Sequence, residues 1–373
     1  MDALVRCNAR VLPVVRSELQ RRILALRSPW DCGEWVPIAF DGSRSDAPRT
    51  ASNEAAFCAK NFGKGKTAQY RKKKSKGMRR KRNRKAPPQP PKPQVWITMF
   101  WHVGLRLPWS WRLGPSDSSE RDHVKSLLDD EEFPDHTLFC GDAGFIGFDF
   151  WSHIRERGHH FLVRVGNNVH LLSDESFSTP DADGRVTCWP KAAQKAGRPP
   201  LRLRLVRVRI GKTDMWLLTS VLDRQRLSRS RLRELYRRRW GVEVEFRGLK
   251  QTLDRAKLRC RTATRLSVEL DWSILGLMAA ELLASRAQRK GGGDPSRRSL
   301  SQTMRTLRNA LRRLPDAVPQ GASLEAGLRD ARIDNYERRH PKKARYRPKN
   351  PDKKELGSPR ITPLTTQPKP NKK

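Results

Sequence analysis

The spacing of apolar positions divides the chain into helical and extended stretches. Leu4, Val11, Val15, Leu19 and Ile23 recur at helical intervals through residues 1–30, with Pro13 expected to break the run. Trp35-Val36-Pro37-Ile38-Ala39-Phe40 reads as a strand, and Asp41-Gly42-Ser43 as its end, where an ordinary Asp-Gly turn is an equal alternative to a functional carboxylate. Residues 95–103 and 107–113 are apolar and Trp-rich around Gly104-Leu105-Arg106, the pattern of a β-hairpin. Ser118-Ser119-Glu120 opens a capped helix that runs to Leu128, and Thr137-Leu138-Phe139-Cys140 is a second buried strand. Residues 148–157 are helical and 160–165 extended.

Strand, hairpin, helix, strand, helix is the order of an α/β domain of ribonuclease-H-like form, a mixed sheet flanked by helices. Asp142, in CGDAGF, follows its strand as Asp41 follows the first. The segments 169–172, 185–189, 201–210 and 215–222 are β-rich, and the third alternates Leu/Val with Arg, one face apolar and the other cationic. They predict a β-rich insertion domain over 166–223, between two parts of the core at 31–165 and 224–289. Residues 290–337 form a C-terminal helical segment with a helix near 300–314. The adjacent His159 and His160 point to opposite faces of a strand and read as structural.

Charge changes the picture. The 373 residues carry a formal net charge of +39 and a pI near 11.1, which calls for a polyanionic partner. A basic, Pro-rich loop at 60–94 holds +15 and a tail at 338–373 holds +11, leaving +13 on the rest; with little to bury, the first reads as a flexible basic loop and a stiff extended spacer, and the tail as disordered. No basic amphipathic anchor or lipidation signal points to a membrane. The apolar run from Leu266 to Ala284 contains Glu269, Asp271 and Glu281, costly in a bilayer, and reads as a core helix. The six cysteines are spread singly, without zinc-like spacing or a secretory signal, as in a reduced, cytoplasmic chain.

The most informative stretch is YRRRWGVEVEFRGLK, Tyr236 to Lys250. On one helix, Tyr236, Arg239, Glu243 and Lys250 fall within a stripe about 60° wide. Leu235, Val242, Phe246, Leu249 and Leu253 form an apolar flank that anchors it. One carboxylate among cations suits a metal and a run of phosphates. Tyr-x2-Arg-x3-Glu-x6-Lys resembles the YREK signature of the DDE transposases of the insertion-sequence-four family, and CGDAGF with the following FLVRVGNNVHLL is similar to their second-aspartate region. The likeness spans residues 34–285.

That resemblance implies a β-rich insertion before the glutamate helix and a transposase that cuts and joins DNA by two-metal-ion chemistry. It implies Asp41, Asp142 and Glu243 as catalytic residues and ligands of two Mg²⁺ (or Mn²⁺) ions, Asp41 bridging. Tyr236, Arg239 and Lys250 would grip DNA phosphates, and Trp240 would either stack on a displaced base or pack against the insertion. The implied partner is double-stranded DNA, both transposon ends and target, bound by a homodimer in a synaptic complex. Forty residues precede Asp41, fewer than the family carries for end recognition, so an N-terminally truncated product is expected. Two other classes share the charge: a truncated or decayed transposase acting only as a DNA-binding protein or repressor, and a ribosome-associated or RNA-binding protein, which would show aromatic base platforms not found here.

Overall fold

Strand β1, Val36–Asp46, is the axis of the molecule. Val36, Ile38, Ala39 and Phe40 are all fully buried, so the strand is covered on both faces, which is why its sequence is continuously apolar rather than alternating. The computed structural model describes residues 2–26, 33–59, 92–173, 183–211, 213–313, 323–333 and 356–363. β1 pairs antiparallel with β2 (Gln94–His102), and β2 with β3 (Leu107–Gly114), through a turn in which Arg106 takes φ 57°. On its other side β1 runs parallel to β4 (Thr137–Gly141), and β4 to β5 (His160–Val165). Helices α3 (Glu120–Asp130) and α4 (Phe148–Glu156) make the two crossovers, and a short α2 (Ala51–Phe57) follows β1. The order β3-β2-β1-β4-β5 is the ribonuclease-H-like mixed sheet expected from the order of elements.

Three expectations need correction. Helix α1, Asp2–Ala25, runs through Pro13 unbroken. Contacts on both sides of the proline hold it: Asn8 bonds Asp271 and Trp272, Gln20 donates to the Trp109 carbonyl, and Ile23 is fully buried. Next, the β-rich segments do not form a sheet of their own. β6 (His170–Ser173), β7 (Asp183–Cys188), β8 (Leu201–Ile210) and β9 (Thr213–Thr219) pair antiparallel in series, and β9 returns to pair with β5 from Leu162↔Thr219 to Val165↔Trp216. Because Leu162, Val163, Leu217 and Leu218 are fully buried, β5 would otherwise present unpaired backbone groups inside the core, and continuing the sheet satisfies them.

The third concerns the tail. Residues 360–363 form β10, parallel to β6, closing one edge of a ten-stranded sheet. Ser358 Oγ accepts from Trp216 Nε1 at 3.1 Å, and Ile361 packs on the core. The rest of the tail, and the basic loop from 60 to 91, lie outside the described residues.

A five-residue helix α5 (Lys191–Lys195) joins β7 to β8. The long helix α8, Ala263–Lys290, is the core helix expected from its apolar run; Leu266, Leu270, Ile274, Leu277 and Met278 are fully buried. Among the described residues no helix is long and apolar enough to cross a membrane. Helix α9 (Leu300–Arg313) follows as expected, and α10 (Leu324–Asp330) adds a helix the periodicity did not predict.

Candidate active site

Asp41 sits in mid-strand, opposite Met99 of β2, and β1 continues to Asp46 without the Asp-Gly turn. The ladder with β2, in which Gly42 is level with Thr98, carries the extended backbone past this point. A Cβ there would lie 2.7 Å from Trp96 Cζ2 and 2.8 Å from Glu120 Cδ, so only glycine fits. In the parallel β1–β4 ladder Ala39 is level with Cys140, which puts Asp41 level with Asp142, just beyond the end of β4. The Asp142 loop is pinned to the core. Gly144 N donates to Asp142 Oδ1 at 2.7 Å, and the Phe145 ring packs on Phe40 with centroids 4.4 Å apart.

The stretch Tyr236 to Lys250 is two helices, not one: α6 (Arg229–Arg239) and α7 (Gly241–Gln251), meeting at Trp240. The break accompanies a close approach. A Cβ on Gly241 would lie 2.7 Å from both Cζ2 and Cζ3 of Trp101, a side chain 1% exposed, so the backbone of α7 rests directly on the indole. Trp101 Nε1 donates to Glu245 Oε2 at 3.2 Å, and Val242 and Leu249 are fully buried, which fixes α7 against the sheet. The apolar flank read from the sequence is thus the buried face, while the polar stripe is divided between two helices.

Glu243 is in the first turn of α7, where the helix dipole favours a carboxylate. Its Oε1 lies 3.5 Å from Arg239 Nη2. Arg239 is 8% exposed, stacks over Tyr236 with its Cζ 5.4 Å from the ring centroid, and has a buried Nε without a hydrogen-bond partner. Lys250 Nζ donates to Ser43 Oγ at 2.7 Å, two residues beyond Asp41. Trp240 is 52% exposed, which disagrees with the alternative that it packs against the insertion.

Charge in this site is unbalanced. Burial pushes the Asp41 carboxyl from an ordinary 3.8 up to about 6; Asp142 and Glu243 push the same way, against the Gly42 N–H and Arg239. Burial also raises Glu120 to about 7, with Asp41 and Asp142 adding to it. It raises the Tyr236 phenol, whose hydroxyl feels Arg239 and Arg164, and lowers the Lys250 ammonium. Sequence reasoning missed Glu120 and Arg164. Glu120 read as a helix-start acid and Arg164 as one residue of a strand, and nothing local tied either to the aspartates.

Among the described residues no three His, Cys, Asp or Glu side chains form a group drawn in to metal-ligand reach. The donor set nevertheless fits a hard divalent cation. It is all carboxylate oxygen, and the Asp41 carboxyl is held up chiefly by burial and, against Arg239, by Asp142 and Glu243, an imbalance that a bound cation would relieve.

The same imbalance has a measurable consequence without metal. Because the folded pKa of Asp41 lies above 3.8, its proton stabilises the fold below that value, and this stabilisation is lost as pH rises through about 6. Asp41→Asn should therefore stabilise the metal-free protein near pH 7.5 by up to about 3 kcal/mol, read as a higher melting temperature, and change its stability little near pH 4. A variant less stable than wild type at the higher pH would contradict this reading of the site.

Comparison with known proteins gives three likenesses. A family model described as a transposase DDE domain matches residues 38–279, a span that holds Asp41, Asp142 and the α6–α7 pair. Transposase InsG for insertion sequence element IS4, from Escherichia coli (strain K12), is 25% identical over 301 residues, 78% of this chain and 62% of that protein, so the chain spans less than two thirds of the length of this curated relative. A cryo-EM structure of piggyBac transposase synaptic complex with hairpin DNA aligns with TM-score 0.41 and 14% identity, over 81% of this chain and 58% of that one.

Proposed function

The chain belongs to the transposase DDE domain family, and from that premise we propose that it cuts DNA strands at the ends of an insertion sequence and transfers them to a target, two copies bridging two ends. The observation that carries the proposal is the level placement of Asp41 and Asp142 on adjacent parallel strands, with the charges of Glu243 and Arg239 both reaching Asp41. Chains of this family act with divalent metal ions. Here Asp41, Asp142 and Glu243 would hold them, two Mg²⁺ or Mn²⁺ ions, with Asp41 as the shared ligand. Bound there, the ions would help deprotonate the attacking water or 3′-hydroxyl and neutralise the leaving oxygen.

The chain's own residues supply position. Arg239, nearly buried beside Glu243 and with its charge reaching Asp41, would place a guanidinium where the scissile phosphate comes to the acids. Tyr236 lies beneath it and orients the guanidinium through the ring contact. Lys250, steadied by Ser43, adds a point charge further along the backbone path. Trp240 presents an open indole face on which an unpaired base can stack.

The first test is cleavage by the full chain of a labelled duplex carrying the ends of the element that encodes it, with Mg²⁺ or Mn²⁺. A chain that binds those ends and never cuts would favour the DNA-binding or repressor reading. The second concerns the cations. Arg239→Ala and Lys250→Ala should each weaken duplex binding with little change in sequence preference and lower the slope of log affinity against log salt by about one. Wild-type binding across salt concentrations in both variants would make the pair structural.

A further inference from the structure

The site described so far draws on β1, the β4 loop and the α6–α7 pair, yet a fourth element ends there. Glu120 is the first residue of α3, a helix capped by Ser119, whose Oγ accepts from Asp122 N at 3.3 Å. Its carboxylate lies over Gly42, the residue next to Asp41, so closely that a Cβ on Gly42 would sit 2.8 Å from Glu120 Cδ. The following residue, Arg121, donates from Nε to the Gly144 carbonyl at 2.8 Å, which ties the first turn of α3 to the loop that carries Asp142. The first turn of α3 thus stands between the strand of Asp41 and the loop of Asp142.

The dipole of α3 suits an acid in its first turn, but it does not account for a carboxylate set this close to two other acids. Among the described residues Glu120 accepts no hydrogen bond and forms no ion pair, and Arg44 is the cation whose field opposes its charge. A half-buried acid near two other acids weakens the metal-free fold, and Ser119 already caps the helix without it. Arg239 does not relieve it, because that guanidinium stands against Glu243, with its buried Nε still unpaired.

We propose that Glu120 is a fourth carboxylate of the metal site, an oxygen donor to the divalent cation held between Asp41 and Asp142; the inference rests on the reading of those two aspartates as metal ligands. Six or more oxygens surround such an ion, so three carboxylates leave positions to fill. Asp41, Asp142 and Glu120 stand on the sheet and on a helix bound to it. Glu243 arrives from the separate α6–α7 unit.

The test is Mn²⁺ affinity of the full chain with the metal alone, by isothermal titration calorimetry, in wild type, Glu120→Gln, Asp142→Asn and Asp122→Asn. Asp122 is exposed in the same turn of α3 and controls for loss of one negative charge. Glu120→Gln should weaken Mn²⁺ binding by about tenfold or more, Asp142→Asn at least as much, and Asp122→Asn by less than about twofold. The metal-free Glu120→Gln protein should melt no lower than wild type, because one of several like charges is gone. Loss in Asp142→Asn with wild-type affinity in Glu120→Gln would overturn this inference alone. Wild-type affinity in both, or no Mn²⁺ binding by the wild type, would overturn the metal reading of the aspartates and this inference with it. Should Glu120→Gln not fold, Glu120→Asp keeps the charge but withdraws the oxygens by one methylene. Wild-type affinity in that variant would equally overturn the assignment.

Discussion

Glu243→Gln is expected to abolish metal-dependent strand cleavage while leaving the fold and duplex binding intact. Glutamine keeps the length of the side chain and its compatibility with the first turn of α7, and it leaves Val242, Phe246 and Leu249 in their buried places. What disappears is the negative charge. Its loss removes the partner of Arg239 at 3.5 Å and one of the three acids taken to hold metal. The partly exposed ion pair contributes little to stability, typically well under about 1 kcal/mol, so melting should hardly change. Cleavage should fall on the order of a thousandfold or more, and a double variant with Asp142→Asn should be no worse than the poorer single one, because both would serve one metal pair. The phosphate contacts proposed for Arg239 and Lys250 do not need the Glu243 charge, so the salt dependence of binding should match wild type. Cleavage at the wild-type rate would remove Glu243 from the mechanism.

The largest effect on stability is expected at Gly241. Even alanine there would bring a Cβ to 2.7 Å from two carbons of the Trp101 ring, which is 1% exposed and held through Nε1 by Glu245. Either the indole rotates and breaks that hydrogen bond, or α7 lifts from the sheet. Overpacking of this kind costs about 1–3 kcal/mol. Lifting α7 also moves Glu243 away from Asp41, so Gly241→Ala should lose cleavage as well as stability. Gly276, exposed in α8 with open space where a Cβ would point, is the control. Gly276→Ala should stabilise the protein by about 0.5–1 kcal/mol through helix propensity alone. Thermal melting of both variants decides the point: if Gly241→Ala melts with the wild type, the close approach of α7 to Trp101 is not what holds the helix.

Much of this arrangement was legible in the sequence because its signals are local. Periodicity outlined the hairpin around Arg106, the strands that carry or precede the two aspartates, the helices at 148–156 and 300–313, and the buried face of α6 and α7. Helical spacing and strand ends drew attention to Tyr236, Arg239, Glu243, Asp41 and Asp142. What escaped depends on contacts between distant segments. Gly241 looks like any glycine until Trp101 lies beneath it, and Trp240 therefore does not announce a helix boundary. Pro13 reads as a break until Asn8 and Gln20 find partners on α8 and β3. Asp-Gly reads as a turn until β2 pairs with β1 through both residues and holds them extended. Glu120 itself has an adequate local explanation as a helix-start acid, and only the fold sets it beside Asp41.

The unbroken sheet also bears on how the molecule can deform. Had the segments from β6 to β9 formed a separate body on a pair of loops, they could swing like a jaw about a hinge. Instead β9 is laced to β5 along four residues, and β5 to β4, whose end carries Asp142. Hinges reside in loops and element ends, whereas a hydrogen-bonded sheet yields mainly by changing its twist. A load applied at the β6–β8 side therefore reaches Asp142 as torsion in a stiff plate, two strands from β9. Large excursions are left to the helices, and the Trp240 junction between α6 and α7 is where the bearing of Glu243 on the plate can alter.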